Sequence, residues 1–231
     1  MPYRATEATR CARQQRSDTL LTKARAIVAA DGFGAASVKA VAAAAGVSAG
    51  TVYTYFANRE ELLAAVFRET ADGEFAAVRR AVDAVQPSDH DHALAAAQLR
   101  ALVNAFARRA IRGRRLAWAL LAEPVDPLIE AERLTYRRAY SDSVAGIIER
   151  GVASGELPPQ EAHIVGLGIV GAIGEALTGP LSPLNADSAK SATFTDQVVD
   201  GICTFCLRAI GAVDVHAVAI SSSHLGKGDP S

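Results

Sequence analysis

The feature that most constrains this chain is a run of helix starts and stops between residues 37 and 63, S-V-K-A-V-A-A-A-A-G-V-S-A-G-T-V-Y-T-Y-F-A-N-R-E-E-L-L. Ser37, Ser48 and Asn58 are residues whose short polar side chains accept hydrogen bonds from the free amides at a helix start. Each stands directly before a helix-forming run. After Ser37, Val38, Val41, Ala42 and Ala45 fall on one face of a short helix, and Gly46 offers the left-handed conformation that ends it. Val47 turns back to the core and Ser48 opens a third helix. Asn58 opens a fourth, with Glu61 in capping-box register and Leu62, Leu63, Val66 and Phe67 as its buried stripe. Two short helices joined by a tight glycine turn make a helix-turn-helix.

Before this run, Leu20, Ala24, Ile27 and Val28 recur at helical spacing, Ser17 is placed to cap a first helix and Gly32 to close it, with Phe33 as a core plug. Residues 1–16 lack apolar periodicity and carry Arg4, Arg10, Arg13 and Arg16, which predicts a flexible basic arm. Charge is divided along the chain. Residues 1–60 hold eight Lys/Arg against four Asp/Glu, a net of +4, while residues 61–231 carry a net of −5. A basic head on an acidic body suits a polyanionic partner met by the head.

The third helix offers the means of reading that partner. At 100° per residue, Val52 and Phe56 point inward while Gly50, Thr51, Tyr53 and Thr54 occupy the opposite arc, with Tyr55 on the flank. Hydroxyls and a phenol without an acidic group suit a DNA groove. Arg59 falls in the first turn of the fourth helix, where the helix dipole disfavours a cation unless a phosphate docks beside it.

The segment from Ser37 to Leu63, with A-G-V-S, T-V-Y-T-Y-F and N-R-E-E-L-L in order, resembles the DNA-binding signature of tetracycline-repressor (TetR) regulators; the preceding A-R-A-I-V-A-A-D-G-F is similar to the family's first helix. The resemblance covers roughly residues 17–67. It implies phosphate contacts from Ser37 and Lys39, contacts to phosphate and base edges from Thr51, Tyr53 and Tyr55, and a backbone clamp at Arg59. Ala49 and Gly50 depart from the larger polar residues common there, so Ser48, Ala49 and Gly50 would line the interface while Thr51 and Thr54 remain for base edges. It also implies an all-α chain: a three-helix DNA-binding head over residues 17–62, then a helical ligand-binding and dimerisation body over 63–213.

In the body, the spacing predicts a fourth helix ending before Pro87, a long helix from about Leu94 into the basic cluster Arg108, Arg109, Arg112, Arg114 and Arg115, an apolar helix over 116–121, and a helix from Pro127 to about Arg150. Phe106, Trp118, Tyr136 and Tyr140 are the aromatic candidates for a ligand pocket. The segment 159–177 is rich in glycine, which costs a helix roughly 1 kcal/mol per residue against alanine. Close helix approach offsets that cost, so this segment and 193–212 are read as a four-helix seam between two copies of the chain. The chain turns polar after Val213, and 214–231 is read as a disordered tail.

Other function classes have little support. No glycine-rich phosphate loop, ordered nucleophile triad or paired-carboxylate motif stands out, so no enzyme, catalytic residue or cofactor is expected. Cys203-Thr204-Phe205-Cys206 has the spacing of redox and zinc sites, but it lies in an apolar helical pattern without a second ligand pair, and His90 and His92 read as a polar loop; no metal site is expected. The longest apolar run, Ile164 to Ile173, is diluted by glycine and ends before Glu175, so no membrane span is expected and the protein is placed in the cytoplasm. These features together predict a homodimer that binds palindromic double-stranded operator DNA and is released by an unknown small-molecule effector. A non-sensing DNA-binding protein with the same head is the alternative.

Overall fold

The computed structural model describes residues 7–86, 93–185 and 192–212. Among them the chain is helical: α1 Glu7–Asp31, α2 Val38–Ala45, α3 Ala49–Tyr53, α4 Arg59–Asp83, α5 Leu94–Arg112, α6 Arg114–Leu121, α7 Pro127–Ala153, α8 Ala162–Leu181 and α9 Ala192–Ala209, with short 3-10 turns at Phe33–Ala35 and Pro183–Asn185. The expected all-α architecture is present. His90, His92 and the tail 214–231 lie outside the described residues, as do residues 1–6.

The local starts and stops of the head form as their chemistry requires. The Ser37 hydroxyl accepts from the Ala40 amide at 3.1 Å, and the Ser48 hydroxyl accepts from the Thr51 amide at the same distance. Asn58 Oδ1 accepts from the Glu61 amide at 2.7 Å, and Glu61 reaches back to the Ala57 amide at 2.6 Å. Each such cap stabilises its helix by about 1 kcal/mol. Gly46 takes the left-handed conformation at φ 66°, where a β-carbon would be strained.

One boundary differs. Ser17 lies inside α1, which begins at Glu7, so residues 7–16 are helix rather than a flexible arm. Arginine, glutamine and alanine are good helix formers, and two tertiary contacts hold this extension against the head: the Arg13 guanidinium lies 5.8 Å from the Tyr55 ring centroid and donates to the Thr54 carbonyl at 3.4 Å. Neither contact is visible to a local reading.

Two buried clusters organise the chain. The head's cluster contains Leu20, Ala24, Val28, Phe33, Val41, Val52, Phe56, Leu62 and Leu63, and it continues into Val66, Phe67 and Ala71 of α4, Ala119 of α6 and Ile129 of α7. The head's core therefore runs past residue 62 and is completed by the body. The second cluster lies among α4, α5, α7, α8 and α9, with Leu99, Leu102, Val103, Ile147, Ile148, Ile169, Ile173, Val199 and Leu207 at its centre.

The arginine cluster at the α5–α6 junction is divided among partners. Arg109 forms a bidentate pair with Glu74 at 2.6 and 2.9 Å, Arg108 reaches Asp196 at 2.7 Å, and Arg114 donates to the carbonyls of Leu181 and Ser182 at the end of α8. Glu156 caps α5 from outside, accepting from the Ala95 and Ala96 amides at 2.8 and 2.9 Å. These long-range caps tie the bundle together where α5 has no capping side chain of its own.

The glycines of α8 divide by face. A β-carbon on Gly166 would lie 2.8 Å from the Ser141 carbonyl oxygen, so this glycine lets α8 press against α7. Gly168 and Gly171 face open space, beside the exposed Ile164 and Leu167. The length argument against a membrane span fails, because α8 is a 20-residue helix with mean hydropathy 1.6. Its inner face nonetheless belongs to the core through Ile169, Ile173, Leu177 and Leu181.

Cys203 and Cys206 are buried in α9, and among the described residues no group of His, Cys, Asp and Glu is arranged to hold a metal. Cys203 Sγ accepts a hydrogen bond from Asn104 at 3.3 Å. Desolvation pushes the Cys203 thiol up to about 11 and the Cys206 thiol up to about 12. The thiolate is the reactive form, so iodoacetamide at pH 8 should label the exposed Cys11 and spare both buried thiols until the protein is denatured, as read by intact mass. Folded thiols that hold their protons longer than unfolded ones contribute stability below the unfolded value near 8.5. That contribution should be lost as pH rises through 11 to 12, seen as a falling urea midpoint.

Candidate DNA interface and effector cavity

The head presents one continuous polar surface. Ser37, Lys39, Ser48, Ala49, Gly50, Tyr53 and Thr54 are exposed, while Thr51 and Tyr55 are half-buried. Val52 is fully buried and Phe56 nearly so, which fixes the rotation of α3 as its spacing predicted. Tyr53 is 54% exposed and is the large side chain that stands clear of α3.

The two threonines are less free than expected. The Thr51 hydroxyl lies 2.9 Å from the Ser48 hydroxyl, and the Thr54 hydroxyl donates to the Gly50 carbonyl at 3.1 Å. Their hydroxyls are occupied within the helix. Arg13 adds a cation at the edge of α3, brought there by the extension of α1.

Arg59, for which the resemblance implied a phosphate clamp, makes contacts within the head. Its Nη2 donates to the Phe33 carbonyl at 2.6 Å and its Nε to the Ala36 carbonyl at 3.2 Å. The half-buried guanidinium thus braces the turn between α1 and α2 from the first turn of α4. Both carbonyls that it satisfies lie just before Ser37, so the brace also sets where α2 begins.

On the other side of the same turn lies Glu123, which local spacing did not mark as functional. Its carboxylate accepts from the Phe33 and Gly34 amides, both at 3.1 Å. Gly32 has φ 83°, and a β-carbon there would lie 2.7 Å from the Glu123 carboxylate. The glycine leaves the hollow that the acid fills.

Glu123 is held in turn by Arg133. This buried guanidinium donates to the carbonyls of Leu120 at 2.8 Å, Glu123 at 2.9 Å and Ala119 at 3.3 Å, and pairs with Glu130 at 2.6 Å. Burial lowers its pKa and the Glu130 carboxylate opposes that shift. It satisfies the last carbonyls of α6, where the helix dipole favours a cation.

Arg133 also lines a cavity of about 130 Å³, partly open to the surface, between α4, α5, α6, α7 and α8. Phe67, Ala71 and Glu74 contribute from α4, Leu102, Phe106 and Arg109 from α5, Leu116, Ala117, Leu120 and Leu121 from α6, and Val170, Ile173 and Gly174 from α8. From α7 come Arg133, Tyr136, Arg137 and Tyr140. Three of the four aromatic candidates therefore line this cavity. Trp118 does not, because α6 turns Ala117, Leu120 and Leu121 inward and leaves Trp118 packed on the body's core.

The Tyr136 hydroxyl donates to Asp72 at 2.6 Å, with the Arg68 carbonyl at 3.1 Å. Tyr140 packs edge-on against Phe75 and Phe106 at 4.8 and 5.2 Å, and its buried hydroxyl has no hydrogen-bond partner among the described residues. Burial raises the pKa of both phenols, with the Asp72 hydrogen bond adding to it at Tyr136. Both remain protonated donors at neutral pH.

With this geometry in view, the comparisons are consistent. Residues 20–66 match the family model of bacterial regulatory proteins of the tetR family, and residues 92–177 match that of the tetracyclin repressor-like C-terminal domain. No curated protein matches the chain. Similar solved structures include the fatty acid degradation regulator FadR from Bacillus halodurans, at 20% identity over 83% of this chain and 94% of that one, TM-score 0.67. FadR from Bacillus subtilis in complex with stearoyl-CoA is 19% identical over 80% of this chain and 97% of that one, TM-score 0.64. AibR in complex with isovaleryl coenzyme A and operator DNA is 17% identical over 82% and 97%, TM-score 0.60. The chain belongs to the TetR family of transcriptional regulators, with its DNA-binding helix-turn-helix head and its helical C-terminal domain.

The different roles of two head residues are separable. Tyr53→Ala should lower affinity for operator DNA in fluorescence anisotropy while leaving the melting temperature unchanged. Arg59→Ala should instead destabilise the fold by about 2 kcal/mol, measured by urea unfolding without DNA.

Proposed function

We propose that the chain works in the cytoplasm as a homodimer that holds palindromic operator DNA through its two heads and releases it when a small molecule occupies the cavity. It is a repressor with no catalytic role on this reading. The observation that carries the proposal is a continuous set of hydrogen bonds between cavity and head. Arg133 forms part of the cavity wall and grips the end of α6, and Glu123 from that end grips the turn that precedes α2.

A ligand that favours another placement of α6 or α7 would change the position of both amides that Glu123 holds. The head then tilts, and two reading helices set one DNA turn apart, about 34–36 Å, lose their register with successive major grooves. Such gating needs a ligand with different affinity for the two arrangements. Ser37, Lys39, Ser48, Ala49, Gly50, Thr51, Tyr53, Thr54, Tyr55 and Arg59 form the DNA face on this reading, with Arg13 beside them. Phosphate contacts supply most of the affinity, so binding falls steeply with salt.

The outward faces of α8 and α9 support dimerisation. Ile164, Leu167 and Phe205 are 65%, 54% and 55% exposed, and Gly168, Gly171 and Gly201 leave open space beside them. A stripe of exposed apolar and small residues on two long helices suits a four-helix seam with a second copy. Likeness to AibR, solved with both isovaleryl coenzyme A and operator DNA, supports the pairing of an effector with an operator in this fold. A non-sensing DNA-binding protein would have no use for a cavity containing an unpartnered phenol.

The test is anisotropy titration against DNA upstream of the chain's own gene at two salt concentrations. Selective, salt-sensitive binding at two protomers per site is expected; affinity no greater than for an unrelated duplex at either salt would overturn the reading. Glu123→Ala, which removes no group of the DNA face itself, should lower operator affinity several-fold while the dimer and its helicity persist. Unchanged affinity in that variant would break the proposed coupling.

A further inference from the structure

The lining of the cavity is specific enough to name a ligand class, on the reading that the cavity is the effector site. Arg133, Tyr136, Arg137 and Tyr140 fall at positions i, i+3, i+4 and i+7 of α7 and share one helical face. At 1.5 Å rise per residue this face spans roughly 10 Å. Cations and phenols alternate along it.

These four groups are not equally available. Arg133 is committed to three carbonyls and Glu130, and the Tyr136 hydroxyl to Asp72. Arg109, across the cavity, is neutralised by its bidentate pair with Glu74. Arg137 makes no hydrogen bond or ion pair among the described residues, and it faces Gly174 of α8, whose missing side chain leaves room beside the guanidinium. Its charge is further repelled by nearby Arg133, since the two arginines interact unfavourably. Tyr140 likewise carries a buried hydroxyl with no partner. The cavity wall therefore offers one exposed positive charge that no acid pairs among the described residues and one buried, unmatched hydroxyl donor, and the rest of it is mainly apolar. A buried donor left unmatched is destabilising, and a ligand oxygen would relieve it.

Size limits what can bring that oxygen. A protein cavity of about 150 Å³ admits benzene, and this one measures about 130 Å³. Its inner space fits one ring or a branched group of similar bulk.

We propose that the cavity binds a compact aromatic or branched-chain monocarboxylate, with its apolar body against Phe106 and Ile173, its carboxylate paired with Arg137, and an oxygen accepting from the Tyr140 hydroxyl. The free acid is the ligand, because Arg137 selects for the charge that a thioester or amide of the same acid lacks at that carbon.

Calorimetry on the full-length protein without DNA tests this apart from operator release. The probes are benzoate, 3-phenylpropanoate and 4-methylpentanoate, with 3-phenyl-1-propanol as neutral counterpart, stearate for size, and 3-phenylpropanoyl coenzyme A as thioester. At least one compact acid should bind at one per protomer, and the alcohol about tenfold more weakly or worse. Arg137→Gln, at an exposed unpaired side chain, should weaken the acid by about tenfold or more and leave the alcohol unchanged. Tyr140→Phe keeps both ring contacts; it should weaken the acid several-fold while the melting temperature holds or rises, which a purely structural tyrosine would not show.

The proposal is overturned if none of the acids binds saturably, if Arg137→Gln leaves their affinity unchanged, or if stearate or the thioester binds more tightly than the compact acids. Acids that bind through Arg137 but leave operator affinity untouched would uphold the ligand class and count against the gating proposed above.

Discussion

The arrangement of this molecule depends on a carboxylate from the body filling a glycine hollow in the head. Glu123 takes two amides, those of Phe33 and Gly34, that open the 3-10 turn after α1 and so have no helical partners of their own. Without it, the turn that orients α2 and α3 would be bounded only by Arg59 and by apolar packing. A charge-assisted hydrogen bond is stronger and more directional than an apolar contact, so the pair of bonds fixes angle as well as distance. Because Arg133 fixes the same stretch of chain from the cavity side, a shape change in the body and a tilt of the head involve the same few atoms.

The two clusters of buried residues have different consequences for motion. The body's cluster is shared among five helices, α4, α5, α7, α8 and α9, and close-packed interiors resist gradual deformation. The head's cluster borrows Ala119 and Ile129 from the body and Phe67 from the middle of α4, where Phe67 stacks 6.3 Å from Phe33 and 6.0 Å from Tyr136. Head and cavity are thus joined by packing along α4 as well as by hydrogen bonds through α6. Tyr136 belongs to both, since its ring meets Phe67 while its side chain lines the cavity.

What the sequence makes legible is what neighbouring residues decide among themselves. Ser37, Gly46, Ser48 and Asn58 act within four residues of their own positions, and each formed the cap or turn that its chemistry dictates. The inward rotation of Val52 and Phe56 follows from helical geometry alone. What is not legible has the opposite character. Ser17 could cap a helix, but contacts of Arg13 with Thr54 and Tyr55, distant in the chain, favour continuing it. The hydrogen bonds of Arg59 to the carbonyls of Phe33 and Ala36 likewise join parts of the chain that no local spacing connects. For the cavity, the aromatic residues of α7 stood out by type, whereas Arg133 and Arg137 were passed over even though they share the helical face of Tyr136 and Tyr140. That periodicity was a readable signal.

Gly32 and Glu123 also bear on how such proteins can be recombined. The head is not a detachable module, because its hollow is shaped for an acid that arrives from another part of the chain. A chimera that joined this reading head to a foreign sensor near residue 62 would leave two amides facing an empty notch, unless the recipient carried a carboxylate of the same reach at the end of its sixth helix. Conversely, a donor head with a bulkier residue in place of Gly32 would collide with Glu123. Compatibility between readers and sensors in this family is therefore a matter of matched relief at one small seam, to be inspected before any graft is cut.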